Sequence, residues 1–212
     1  MRLPVVLHRA HSERLAPALR ALDFPSMALF ALVAATRRHS LIESTATEGF
    51  RERLEAARVC LDRLEGAISR GEADRSTELC SLAAGAFEAD LAEAATPRAI
   101  ARLFELLFLL REAVADESAE LIDAVPALAL DCIYAQIRCA PGDCAAQTAE
   151  VCAAHAEAVR EERAQLDDLE RISRYTGDRA MLVRELTERA RVWTASSGQP
   201  PMKCVPHVCG AL

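Results

Sequence analysis

TPRAIARLFELLFLLREAVAD, from Thr96 to Asp116, is the stretch that decides the fold class. Thr96 followed by Pro97 is a helix start: a side chain able to cap free amides, then a residue with no amide to satisfy. Leu103, Phe104, Leu107, Phe108 and Leu110 follow at helical spacing, so this segment is expected to be the most buried helix of the chain. Arg102 and Glu105 interrupt it, so it does not read as a membrane span.

Working outward, helical periods continue almost from end to end, and no stretch shows sustained strand alternation. Ser12 caps a short helix to about Leu22 after an extended start, and Pro25 opens a second to about His39. The third spans about 48–69, with Leu54, Leu61, Leu64 and Ile68 on one core-facing stripe, and Arg70-Gly71 ends it. Asp74 caps a fourth helix to about Ala94. After the helix quoted above, Ser118 begins a sixth that reaches Cys139 with a kink at Pro126. A seventh runs from Asp143 to Tyr175 and closes at Gly177, and Asp178 caps the last, to about Ala195. The fold expected is all-α: a single-domain bundle of seven to eight helices built from antiparallel hairpins over residues 1–198, with an irregular cysteine-containing tail over 199–212.

Composition supports that reading. Of the 212 residues, 51% are hydrophobic, 27% charged and only 4% aromatic, with alanine, leucine, arginine and glutamate abundant, all strong helix formers. A net charge of −7 with interspersed arginines excludes nucleic acid and anionic membrane as general partners. The basic run Arg37-Arg38-His39 reads as the solvated or capping end of a helix. Pro4 and His8 break the first apolar stretch, which is too short for a secretory leader, so a cytoplasmic location with reduced thiols is expected.

Eight cysteines fall into four local pairs: Cys60 with Cys80, Cys132 with Cys152, Cys139 with Cys144, and Cys204 with Cys209. CAPGDC, from Cys139 to Cys144, is the tip of a helical hairpin. Cys132 and Cys152 each lie about 10–12 Å from that tip and share a layer. Three readings stay open: thiols packed as small hydrophobes, disulfides across the hairpins, and a metal site. For zinc or copper, Cys152 and His155 stand three residues apart on one helix face, and the tail adds Cys204, His207 and Cys209. Otherwise no cofactor is expected.

Phosphate-loop, dinucleotide and HExxH signatures are missing, and no Glu-x-x-His pair occurs. His8 and His11 read as surface. The acidic residues Glu161, Asp167, Asp168 and Glu170 read as a salt-bridged, solvated face, with Asp167–Arg171 and Glu170–Arg174 as partners one turn apart. Glu162 falls on the apolar stripe Cys152, His155, Val159, Leu166 and Leu169. The terminal CGAL has the outline of a prenylation box, though glycine and alanine match its aliphatic positions poorly.

The helix order from Pro25 to Gly198 resembles the YjaG-like family of all-helical bacterial proteins of unknown function. MALFALVAATRR, CLDRLEGAIS, AIARLFELLFLLREAVADESAELIDAV and EAVREERAQLDDLE carry the likeness. Glu65 stands where that family would have a tryptophan, and SSGQPP replaces its ending. The resemblance implies a compact helical fold and no catalytic residues. The functional expectation is a non-enzymatic protein acting through contacts with another protein, as an adaptor, regulator or immunity protein. The alternatives are a thiolate and imidazole metal-binding protein, or an enzyme whose groups converge only in three dimensions.

Overall fold

The computed structural model describes residues 3–45, 48–71, 98–134 and 144–193, and every regular element among them is helical. The helices are α1 (Leu3–Leu19), α2 (Phe24–Thr45), α3 (Arg51–Arg70), α4 (Arg98–Asp116), α5 (Ala119–Asp123), α6 (Val125–Tyr134), α7 (Cys144–Arg174) and α8 (Arg179–Arg191). A 3-10 turn, Glu48–Phe50, leads into α3. The all-α expectation holds. The helix expected from Asp74 to Ala94, the Thr96-Pro97 cap and the tail 199–212 lie outside the described residues.

The architecture is a helix wrapped by helices. α2 is buried continuously from Met27 to Ile42 and packs against α3, α4, α5, α6, α7 and α8. A helix can be covered on all sides only if its neighbours come close. Ala28, Ala31, Ala34 and Ala35, each at most 1% exposed, are small enough to allow that. Leu29, Phe30, Leu32 and Val33 fill the space between the alanines. The main core gathers Leu15 and Leu19 of α1, Leu54, Leu61 and Leu64 of α3, Leu103, Leu106 and Leu110 of α4, and Val183 and Leu186 of α8 around this axis.

Local signals account for several helix ends. Gly71 closes α3 in the left-handed region at φ 66°, donating to the carbonyls of Ala67 and Ile68. Ser118 caps α5 by accepting from the Leu121 amide at 3.4 Å. Asp178 caps α8 by accepting from the Ala180 amide at 3.0 Å.

Other expectations are corrected. α1 starts at Leu3, not Ser12, because Pro4 lies in its first turn, where the missing amide costs no hydrogen bond. α2 continues past His39 to Thr45. Pro126 does not kink one long helix; the chain breaks at Ala124, and proline sits in the first turn of α6. Phe108, expected in the core with its neighbours on α4, is 52% exposed, since the buried face runs through Leu103, Leu106, Leu107 and Leu110. No helix among the described residues is long and apolar enough to cross a membrane.

Candidate functional site

The polar residues of α2 are the unexpected feature. Thr36, Arg37, Arg38, His39 and Ser40 follow the apolar run without a break, and all are buried. Arg37, Arg38 and His39 were expected at the solvated or capping end of a helix; instead they are buried and face two ways.

Arg37 and Arg38 face α7. Arg37 grips Glu161 with two hydrogen bonds, Nε to Oε2 and Nη2 to Oε1, both 3.0 Å, and its Nη1 bonds Asp168. Arg38 Nη2 reaches Glu161 Oε2 at 2.5 Å and Glu157 Oε1 at 3.8 Å. Gln165 Nε2 donates to Glu161 Oε1 at 3.0 Å, and its Oε1 meets His11 Nε2 at 2.8 Å. Arg14 contributes an N–H to His11 Nδ1 at 2.9 Å, and a guanidinium can only donate. His11 therefore accepts at Nδ1 and donates from Nε2 to Gln165, so one proton order runs from α1 to Glu161. The indole of Trp193 donates to Glu157 at 2.9 Å and lies under the Arg160 guanidinium, 3.7 Å from carbon to ring centre.

Charges removed from water survive only when paired, because each costs several kcal/mol to desolvate. Burial opposes the charge on Glu161, but Arg37 and Arg38 outweigh it and hold the carboxyl below its ordinary range. Burial also opposes the charge on Arg37, and Glu161 and Asp168 reverse that, holding it above its ordinary range. Asp168 is pushed up, since burial exceeds what Arg37 returns. Arg38 is incompletely satisfied: its Nε and Nη1 are buried without a partner.

His39 faces the other way, into a cleft of about 660 Å³ between α2, α3 and the end of α8. Thr36, His39, Ser40 and Glu43 form the α2 wall. Arg58, Asp62, Glu65, Gly66 and Ser69 line the α3 side, and Arg191 closes one end. Arg191 Nη2 bridges Asp62 at 2.7 Å and Glu65 at 2.6 Å. Arg58 is turned to Glu55, its Nε 2.9 Å from Oε2.

The sequence-selected residues are only partly placed. Cys60 is buried on α3, and Cys132 is a free, buried thiol that burial pushes up to about 12. Cys80, Cys139, Cys204, His207 and Cys209 lie outside the described residues, as do the side chains of Cys144, Cys152 and His155, whose backbone belongs to α7. Among the described residues, no group of three or more histidine, cysteine or acidic side chains is arranged to hold a metal.

His11, expected at the surface, is 2% exposed. The acidic face of α7 divides. Asp167–Arg171 and Glu170–Arg174 are the solvent-facing pairs expected, whereas Glu161 and Asp168 turn inward. Glu162 is half-buried beside Arg14 at 3.7 Å and Leu166 is exposed, so of the apolar stripe only Leu169 is buried among the described side chains. The buried face runs through Ala158, Glu161, Gln165, Asp168, Leu169 and Ile172. A readable signal was the polar run following MALFALVAA with no turn residue, together with Glu161, Gln165 and Asp168 at one-turn spacing.

The chain matches no protein-family model, no curated protein and no solved structure. Its likeness to the YjaG-like family rests on the quoted sequence stretches alone.

Proposed function

We propose that the chain is a non-enzymatic helical protein that acts through contacts with another protein, as an adaptor, regulator or immunity protein does, and that it engages its partner at the α2–α3–α8 cleft. The cleft carries this reading. It opens to solvent and is lined by ionic and hydroxyl groups together with Leu61 and Gly66. By contrast, the carboxylates whose proton affinity is most disturbed by burial, Glu161 and Asp168, are committed to Arg37 and Arg38 in the interior. Perturbed carboxylates in an open cleft would favour acid–base chemistry; here the two features occupy opposite sides of α2.

Gly66 gives a clean test, because a Cβ added there meets only the flexible end of Arg70, at 3.2 Å, and leucine is a better helix former. Cross-linking in cells that make the protein, followed by quantitative mass spectrometry, should recover a specific protein with the parent chain. Gly66→Leu, which fills the cleft, should reduce that recovery by about tenfold, equivalent to about 1.4 kcal/mol of binding. Equal recovery by parent and variant would overturn the assignment.

A further inference from the structure

We propose that the end of α8 is a clasp: Arg191, anchored on α3 at one end of the cleft, holds Trp193 against the buried charges of α2 and α7. The clasp is one turn long. The Trp193 amide donates to the Ala190 carbonyl at 3.1 Å, so Arg191 and Trp193 belong to the same turn. Val192, which separates them, is 76% exposed. The turn is therefore held from its two flanks.

On the α3 flank a single nitrogen, Arg191 Nη2, bonds Asp62 Oδ1 at 2.7 Å and Glu65 Oε2 at 2.6 Å. On the α7 flank the Trp193 indole donates to Glu157 Oε1 at 2.9 Å. That same oxygen faces Arg38 Nη2 at 3.8 Å. The indole ring centre lies 3.7 Å from the Arg160 guanidinium carbon and 5.5 Å from that of Arg37, both within cation–π range. The ring also packs against the small apolar cluster of Leu41, Leu130, Ile133 and Ala158. Trp193 is thus where the rim of the cleft meets the interior ionic network. Exposed ion pairs such as those of Arg191 are individually weak, which suits a contact that opens without unfolding the core. A partner that takes hold of Asp62 or Glu65 removes the anchor of Arg191 and frees Trp193; this consequence rests on the cleft being the working site.

The test is hydrogen exchange at the Trp193 indole, the only tryptophan of the chain and so a single indole N–H signal by nuclear magnetic resonance. In the parent protein that proton should exchange ahead of the α2 amides, because the clasp opens while the core stays closed. Arg191→Gln, and separately Asp62→Asn combined with Glu65→Gln, should speed its exchange about threefold. Arg191→Lys should stay near the parent rate, since one nitrogen makes both bonds and an ammonium can take its place. Circular dichroism of every variant should match the parent. Exchange of the indole proton at the α2 rate in the parent would overturn the proposal, as would a rate unchanged in both Arg191→Gln and the double variant. An acceleration in Arg191→Lys as large as in Arg191→Gln would overturn it too. Loss of partner recovery in Gly66→Leu with an unresponsive indole would keep the cleft and reject the clasp. A responsive indole with equal partner recovery would keep the clasp and reject the cleft.

Discussion

Glu161 accepts hydrogen bonds from Arg37, Arg38 and Gln165 while fully buried. Removing its charge leaves two interior guanidinium groups short of an anion, so Glu161→Gln should lose about 3–5 kcal/mol in urea denaturation. Its neighbour Glu162, beside Arg14 at 3.7 Å and partly solvated, should cost under about 0.5 kcal/mol when changed to glutamine. The network also sets the acid limb of stability. The folded-state affinity of Glu161 for a proton is depressed, so the unfolded chain takes up that proton first. Its contribution is present above the ordinary carboxylate range and is lost as pH falls through the lower folded value. Asp168, shifted upward by burial, works with the opposite sign. Urea midpoints should therefore fall below about pH 4.5, less steeply in Glu161→Gln; a variant curve parallel to the parent's would reject this account. At Cys132 burial keeps the thiol protonated, with its pKa near 12. Iodoacetamide at neutral pH should modify it only after unfolding, as peptide mass spectrometry would show. None of these roles was readable from neighbours in sequence. Arg37 and Asp168 are 131 positions apart, and a basic run looks the same whether a carboxylate meets it or water does.

Three helix ends were legible from local capping residues, whereas the start of α1, the end of α2 and the break at Ala124 were not. Capping depends on residues three or four apart, so Gly71, Ser118 and Asp178 announce themselves locally. A face depends on what the rest of the chain brings to it. On α7 the apolar spacing through Val159 and Leu166 pointed to one face, and the paired charges of Glu161 and Asp168 took the buried one. The two glycines of α3 offer a matched measurement of the local rules. Gly71 holds a left-handed conformation, so Gly71→Ala should cost about 1 kcal/mol. Gly66, within the helix, meets only the end of Arg70, so Gly66→Ala should gain about 0.5–1 kcal/mol. Thermal melts that rank these two changes in the reverse order would contradict the assigned end of α3.

At the scale of the whole molecule, α2 is the element that every later described helix helps to cover. It packs against helices from α3 to α8, whose closing residues Leu186 and Ala190 lie far along the sequence. Its amides should be the last to exchange with deuterium, at the rate of global unfolding, while those of α8 at the surface of the core exchange earlier. A hydrogen-exchange experiment in which α2 opens before α8 would contradict a central position. The cleft follows from the same placement: the α2 residues on its wall are held by the core on their other sides, and His39 is fixed further by its hydrogen bond to the Leu54 carbonyl. There is also a consequence for synthesis. MALFALVAA, from Met27 to Ala35, leaves the ribosome well before Leu182, Val183 and Leu186, the side chains that finally shield it. The nascent chain therefore presents this apolar segment before α7 and α8 exist to complete its cover, a stage at which exposed hydrophobic surface favours aggregation.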